Sequence, residues 1–343
     1  MTDGLTPTTT DASPSRLRSR LRTFTGIAGI VSAVSAGMGV AAHFFGPVST
    51  VVTLLASFTP LFVVLAVLSA VILAAARMWF AVLAAVAIVV VGVASQLPLF
   101  IGEQPTASGE APTLRILQAN LRLGEADPSA LVDRVRGSGV DVLTVAELTG
   151  PAVDKLAAAG LREWLPYSYV RADYGGSGEG IYSRYPLTDT AALTGLEHHN
   201  LRATIQVPGA VPVTVYALHP LPPYPEPAWR WAAELDRIGA ILAEERGPLI
   251  VGADFNSTYD HERYRHLLNV GARDGADLVD AGEYLGSGIV ATYPADQWFP
   301  AVLGIDKILA RGATPLSFVR VDLPGSDHHA VMGDVRLPPL TQP

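Results

Sequence analysis

The chain has 343 residues, of which 49% are hydrophobic and only 16% are charged, and it contains no cysteine. The lack of cysteine excludes a disulfide framework and any thiolate metal site. The chain has 24 basic and 32 acidic residues, and residues 1–110 contain five of the basic and four of the acidic ones. Residues 111–343 therefore contain 19 basic and 28 acidic residues, which gives this region a net charge of −9. Proteins that hold DNA through its phosphates usually carry a basic footprint, which this acidic region lacks.

The apolar residues are concentrated near the N-terminus, where Arg77 is the one charged residue between Thr23 and Ile101. We predict that residues 1–22 form a disordered basic tail and that the transmembrane region covers residues 23–101. Each apolar run reaches the roughly 20 residues that a helix needs to cross the hydrocarbon core. The three predicted transmembrane helices lie at about residues 24–45, 48–76 and 79–100.

The positive-inside rule gives these helices an orientation. Four arginines between Arg16 and Arg22 precede the first apolar run and keep the N-terminus cytoplasmic. Three crossings then place everything after Ile101 on the outside. We therefore expect a multi-pass plasma-membrane protein whose C-terminal domain is extracytoplasmic, joined by a linker at residues 102–112.

From residue 113 to residue 343 the pattern is that of an α/β domain, in which short apolar strands alternate with helical segments. Polar side chains stand at or near the ends of these strands, where α/β enzymes collect catalytic groups. Carboxylate and amide oxygens suit a hard cation, Mg²⁺ or Mn²⁺, and histidines near neutral pH suit acid–base work. The strand-end residues are Asn120, Glu147, His219, Asp254, Asn256, Asp306, Asp327 and His328.

The motifs that contain these residues resemble, in order, those of the endonuclease/exonuclease/phosphatase (DNase I-like) superfamily, over residues 114–336. The resemblance implies a four-layer α/β sandwich, with two mixed β-sheets flanked by helices, and metal-dependent phosphoric ester hydrolysis. The Gly-Ala-Asp-Phe-Asn motif departs from the family pattern, since its glycine stands one place earlier. The matching segments are Gln118–Asn120, Ala146–Thr149, Ser183–Pro186, Leu218–Pro220, Gly252–Thr258, Ile305–Leu309 and Gly325–His328.

The resemblance also implies which residues bind the metal and the phosphate. Glu147 is implied as the principal Mg²⁺ ligand, with Asn120 beside it and Asp327 completing the metal side. Arg122 matches an arginine of the DNase I type and is implied, together with Asn256, in phosphate binding.

The catalytic groups are implied in the same way. Asp254 orients or deprotonates the attacking water, and Asn256 holds a phosphate oxygen. His328 contacts the phosphate and is oriented by Asp306. His219 matches a histidine that assists the leaving group in the DNase I and sphingomyelinase branches.

The superfamily leaves the substrate open. The three spans and acidic domain are similar to those of actinobacterial membrane proteins of the teicoplanin-resistance (VanJ) type, which implies a lipid-linked envelope substrate such as polyprenyl pyrophosphate. The alternatives are a membrane-anchored extracellular nuclease, a phospholipase or sphingomyelinase-type phosphodiesterase, and a catalytically silent membrane scaffold. No protein partner can be inferred.

Three further features have an interpretation from their local context. His198 and His199 lie in a polar loop and are expected to be solvated, and His261 is expected at the surface of a helix. The proline-rich segment over residues 220–227 follows His219 and forms either one wall of a substrate mouth or a plain rigid loop.

Overall fold

The computed structural model describes residues 14–46, 49–105, 111–270 and 277–340. By internal contacts the chain separates into two compact units, one of residues 1–41 with 59–95 and the other of residues 42–58 with 96–343. The first 13 residues of the predicted tail, and residues 106–110 of the predicted linker, lie outside the described residues.

The described residues form helices near the N-terminus and alternating helices and strands thereafter. The helices are α1 Pro14–Ala42, α2 Thr50–Ser57, α3 Thr59–Ala75, α4 Trp79–Gln96, α5 Pro128–Ser138, α6 Gly150–Ala158, α7 Leu161–Trp164, α8 Ala228–Glu244, α9 Glu262–Leu268 and α10 Ala281–Tyr284. The strands are β1 Thr113–Asn120, β2 Val142–Ala146, β3 Tyr167–Arg171, β4 Glu179–Ser183, β5 Leu187–Ala192, β6 Leu201–Ile205, β7 Val213–Leu218, β8 Leu249–Asp254, β9 Val279–Asp280, β10 Asp306–Arg311, β11 Thr314–Pro315, β12 Val319–Val321 and β13 Ala330–Arg336.

The first unit consists of α1, α3 and α4, whose apolar side chains point largely outward. Phe80 and Leu83, for example, are 90% and 67% exposed. Small residues allow these helices to approach closely: a Cβ on Gly39 would lie 2.0 Å from the Phe62 ring. Helix α1 begins at Pro14, within the segment that was predicted to be a disordered tail. It includes the four arginines of that segment, and arginine is a good helix former.

Two of these helical segments, Arg18–Ala42 and Trp79–Leu99, are long and apolar enough to cross a membrane. The predicted middle span is broken, because α2 and α3 meet at an angle of 73°. Within the described residues, the structure thus gives two candidate spans, or three if the bent pair is one span, where the sequence pattern predicted three continuous helices. The apolar composition is uniform across the break, so hydropathy alone could not locate it.

The second unit contains two mixed β-sheets. One has the strand order β11-β13-β1-β2-β4-β3, with β12 also paired to β13, and the other has the order β5-β6-β7-β8-β10-β9. The pairs β1–β2 and β7–β8 are parallel, and the other pairs are antiparallel. The predicted α/β class with two mixed sheets is confirmed.

The sheets face each other across the main hydrophobic core, with Ile116 and Val142 of one sheet packed among Val215 and Ile250 of the other. Helices α5 and α6 cover the outer face of the first sheet, and α8 and α9 cover the outer face of the second. Strands buried on both faces explain the nearly continuous apolar runs in the sequence. This layering carries the polar ends of β1, β2, β7, β8 and β10 to one edge.

Candidate active site

Six of the eight predicted strand-end residues line one cavity of about 580 Å³ in the second unit. The convergence follows from the pairing: β1 and β2 run parallel, as do β7 and β8, so their carboxyl ends share an edge. Strand β10 runs antiparallel to β8, which sets its first residue opposite the last residue of β8. The predicted residues that line the cavity are Glu147, His219, Asp254, Asn256, Asp327 and His328.

Asn120 is fully buried behind this cavity and connects two of its carboxylates. Its amide nitrogen donates to Glu147 Oε1 at 3.1 Å and to Asp254 Oδ2 at 3.0 Å. Its amide oxygen accepts the backbone N–H of Arg122 at 2.8 Å. In this arrangement Asn120 orients the carboxylates, and its predicted role as a metal ligand stays a prediction.

Asp254, Asp306 and His328 form a buried cluster in which ligand-type atoms lie within 4.8 Å of one another. Asp254 and Asp306 are direct partners across the β8–β10 ladder, so their side chains project to the same face. His328 Nδ1 lies 2.9 Å from Asp306 Oδ2 and 3.7 Å from Asp254 Oδ2. Burial acts to lower the pKa of His328, but the two carboxylates outweigh it and raise this pKa to about 10.

A second histidine–carboxylate pair also approaches Asp254, and the sequence pattern had not indicated its acid. His219 Nδ1 is 3.5 Å from Glu179 Oε1, and His219 Nε2 is 3.8 Å from Asp254 Oδ2. Burial alone would lower the pKa of His219, but these carboxylates raise it to about 9. Glu179 does not stand out in the sequence because it begins strand β4 within a glycine-rich stretch, with Gly178 before it and Gly180 after it.

The prediction that His198 is solvated is wrong. Its ring lies 4.6 Å from the ring of His219, its Nδ1 is 3.0 Å from the His219 carbonyl oxygen, and it lines the cavity. Burial, followed by the charge of His219, lowers the pKa of His198 to about 4. His198 is therefore a neutral ring at the site, brought there by tertiary packing of a loop whose polar composition suggested exposure.

Asn256 is held at the cavity by its backbone and by the proline-rich segment. Its N–H donates to Asp254 Oδ1 at 2.9 Å, and its side-chain amide donates to the Pro220 carbonyl oxygen at 3.0 Å. Non-glycine residues at positive φ are uncommon and often mark functional sites. Here Arg122, Glu147 and Asn256 have φ values of 48°, 55° and 50°.

The loop after β8 is less exposed than its sequence suggested, and the prediction of a surface position for His261 is wrong. His261 is 3% exposed. Its Nδ1 accepts the Thr258 N–H at 3.0 Å, and its Nε2 is 3.0 Å from the Thr53 carbonyl oxygen. Helix α2 and this loop therefore belong to the same packed region.

Arg122 does not line the cavity. Its guanidinium is 3.0 Å from Asp296 and 3.3 Å from Glu125, and its side chain is 38% exposed. Among the cavity-lining residues in the described part of the chain, none is lysine or arginine. The predicted phosphate contact of Arg122 remains a prediction, and it would require this ion pair to open.

The donor set fits a hard divalent cation. Glu147, Asp254 and Asp327 bring three carboxylates to one cavity with no lysine or arginine among its described lining residues to balance them, and such oxygens are the ligands that Mg²⁺ prefers. Asp306 Oδ1 is buried without a hydrogen-bond partner among the described residues. Glu147 and Asp327 on one side, and Asp254, Asp306 and His328 on the other, are the groups that could hold a metal.

The fold and the site together define a class: a two-sheet α/β sandwich with an acidic, histidine-containing cavity at the strand ends. A sequence model of the endonuclease/exonuclease/phosphatase family matches residues 117–328. The chain belongs to this family, whose members are metal-dependent phosphoesterases. No curated protein sequence matches the chain.

Solved structures agree on the fold. A humanized TDP2 of D. rerio is 18% identical with a TM-score of 0.53, and the match covers 65% of this chain and 99% of that one. A functionally unknown conserved protein of Enterococcus faecalis V583 is 15% identical with a TM-score of 0.53, covering 65% and 100%. A family protein of Bacteroides thetaiotaomicron is 15% identical with a TM-score of 0.50, covering 67% and 99%. At these identities the likeness extends to the fold alone.

Proposed function

We propose that this protein is a membrane-tethered, Mg²⁺-dependent hydrolase that cleaves a phosphate ester or pyrophosphate bond in a lipid-linked substrate, such as the polyprenyl pyrophosphate of the cell envelope. The observation that carries the proposal is the cavity itself. It combines carboxylates and histidines with apolar side chains, and none of its described lining residues is lysine or arginine. A nucleic-acid site would be expected to present lysine or arginine to successive phosphates.

The chain's own residues suffice for in-line attack by water on phosphorus. Asp254 holds the attacking water and accepts its proton. His328, fixed through Nδ1 by Asp306, presents its other ring nitrogen to a phosphoryl oxygen. As the bond from phosphorus to the leaving oxygen breaks, His219 supplies a proton to that oxygen.

A divalent cation held by Glu147 and Asp327 would neutralise the charge that develops on the phosphoryl oxygens. Asn120 keeps Glu147 and Asp254 at fixed positions through its two hydrogen bonds. Asn256 stands beside the attacked phosphorus as a hydrogen-bond donor. These roles are part of the proposal.

The membrane arrangement is proposed with an odd number of crossings. Helix α3 has 17 residues, or about 26 Å at 1.5 Å per residue, which reaches the lower limit for a span without α2. Three crossings and a cytoplasmic arginine-rich N-terminus place the catalytic domain outside, as in the VanJ-type proteins. With two crossings, the domain would lie on the cytoplasmic side.

Orientation can be measured directly because the chain has no cysteine. A Cβ added at Gly137 would meet no atom within 4 Å, so a Gly137→Cys protein should fold normally. A membrane-impermeant maleimide should label this cysteine in intact cells as strongly as in permeabilised cells. Labelling only after permeabilisation would reverse the proposed orientation.

The function is tested by phosphate release from a polyprenyl pyrophosphate by the full-length protein in detergent with Mg²⁺, with plasmid DNA in parallel. His328→Ala is compared with His329→Ala, because the neighbouring ring contacts the exposed Asp322 instead of the cavity. Asp254→Ala is the second inactive variant, and EDTA removes the metal.

We expect hydrolysis of the lipid, intact plasmid, loss of activity in His328→Ala, Asp254→Ala and EDTA, and near-normal activity in His329→Ala. Nicked DNA with untouched lipid would replace the proposal with the nuclease alternative. Release of a headgroup from a phospholipid or sphingomyelin, with pyrophosphate untouched, would identify the lipase alternative. No turnover of any phosphoester would support a silent scaffold.

A further inference from the structure

Helix α2 belongs to the second unit, and none of its residues has a role in the proposed chemistry. Its N-terminal Thr50 Oγ1 accepts the backbone N–H of Ala228 at 3.3 Å, at the start of α8. At its other end, Ser57 Oγ is 3.1 Å from His261 Nε2. The helix is thus attached to the domain at both ends, although it lies between two apolar helices in the sequence.

This attachment makes α2 one wall of the catalytic cavity. Leu54 and Ser57 line the cavity, on the same one-turn spacing that places residues three apart on one helix face. Val51 lies three residues before Leu54 but is 67% exposed and is not among the described lining residues. Leu54 is therefore the large apolar side chain that α2 contributes to the site.

Other apolar residues line the same cavity. They come from the proline-rich segment and from the loop before β10, so the segment lines the cavity, and its role at a substrate mouth stays a prediction. The one charged residue in this group, Glu226, forms an ion pair with Arg230. With Leu54 of α2, the aliphatic and proline residues that line the cavity are Leu221, Pro222, Pro223, Pro225, Leu303 and Ile305.

We propose that α2 and the proline-rich segment form a subsite for the hydrocarbon chain next to the phosphate of the substrate. This inference rests on the proposed function and specifies it, because it makes the hydrocarbon chain a determinant of specificity. The occupant follows from the chemistry: the Asp254–His328 centre and Leu54 line the same cavity, so a hydrocarbon group bonded to a phosphate at that centre has apolar side chains of this cavity to bind. Each methylene group that leaves water for an apolar subsite should improve binding about fourfold.

The first experiment measures kcat/KM for phosphate release from isoprenyl diphosphates of five, ten and fifteen carbons, using the full chain in lipid nanodiscs. In the unmodified protein kcat/KM should rise with chain length. Leu54→Gln should lose about tenfold on the fifteen-carbon substrate and less than twofold on the five-carbon one. Val51→Gln, the same change at an exposed position of α2, should behave as the unmodified protein does.

The subsite would be overturned if Leu54→Gln lowered kcat/KM equally for all three lengths, or if Val51→Gln produced the same length-dependent loss. A flat length dependence in the unmodified protein would overturn it as well. An absence of turnover on every diphosphate would count against the proposed function, and the subsite is then decided by a binding measurement.

That measurement uses a single introduced cysteine in the cysteine-free chain. Leu54→Cys and Val51→Cys proteins are alkylated with N-ethylmaleimide in the presence of Mg²⁺ and a farnesyl bisphosphonate, which has no cleavable bridge. We expect the farnesyl compound to slow alkylation at position 54 at least fivefold, with no effect at position 51. Methylene bisphosphonate, which lacks the chain, should protect neither. Equal rates at position 54 with and without the farnesyl compound would exclude the subsite, whatever the enzyme hydrolyses.

Discussion

Substitution of Asp260 tests whether the segments next to the apolar helices stabilise the second unit. The residue is 2% exposed and lies four positions after Asn256. Its Oδ1 accepts hydrogen bonds from His43 Nδ1 and from Gln96 Nε2, each at 2.7 Å. These partners come from the segments that follow α1 and end α4, and both belong to the same contact unit as the sheets.

The expected effect of Asp260→Ala follows from these two bonds. A hydrogen bond to a charged group contributes about 1.5–3 kcal/mol, so the substitution should cost roughly 3–6 kcal/mol. For a domain of this size, each kcal/mol lowers Tm by about 2–4 °C, which predicts a fall on the order of 10 °C. Asp260→Asn keeps one acceptor and should give an intermediate shift.

The assay is thermal unfolding of the full-length protein in detergent, followed by intrinsic fluorescence, with phosphate release measured in parallel. Asp322→Ala is the matched control, because this carboxylate is 81% exposed and its contact with His329 should contribute less than about 1 kcal/mol. We expect loss of activity in Asp260→Ala at temperatures where the Asp322→Ala protein still works. If the two variants unfold within 2 °C of each other, by the same scale of about 2–4 °C per kcal/mol, the junction at Asp260 does not hold the unit together.

Three further outcomes are expected. Gly252→Ala should destabilise the domain by about 1–3 kcal/mol in urea unfolding, because the added Cβ would lie 2.1 Å from Thr144 Oγ1. Gly150→Ala is the control and should be nearly neutral, because its Cβ would meet no atom within 4 Å. Asp306→Asn should lower kcat about 10²-fold with little change in KM, and a KM effect alone would contradict its orienting role. Burial lowers the pKa of His261 to about 4, below its unfolded value of about 6.5. The free energy of unfolding should therefore be highest above pH 6.5 and fall by roughly 3 kcal/mol toward pH 4, because the unfolded state takes up the proton first. His261→Gln should flatten this dependence when unfolding is measured across the pH range.

The local pattern of the sequence predicted most of the strands that carry the site. Val142–Ala146 and Leu249–Asp254 are buried on both faces, and such strands read as short apolar runs bounded by turn residues. The polar residue at each end was visible for the same reason, because it interrupts an otherwise apolar pattern. Pairing of parallel strands then brought these ends to one edge, as expected for an α/β fold.

Residues outside this pattern were missed or misjudged. Glu179 starts a strand, and His198 lies in a loop whose neighbours are polar, so neither stands out from its local context. The break between α2 and α3 interrupts a run of uniform hydropathy. In each case the position depends on contacts with residues far along the chain, such as the 3.5 Å approach of His219 to Glu179.

The sequence by itself determined the class of chemistry and the apolar character of the N-terminal region, because both depend on residue types and their spacing along the chain. The tertiary structure alone decided which groups share the cavity. Burial and packing between distant segments brought Leu54 of an apolar run to the cavity that His219 and His328 also line, and paired Arg122 with Asp296. Such contacts produce no periodic pattern of residue types in the sequence. They join residues that are distant along the chain, and they form only when folding removes both partners from water.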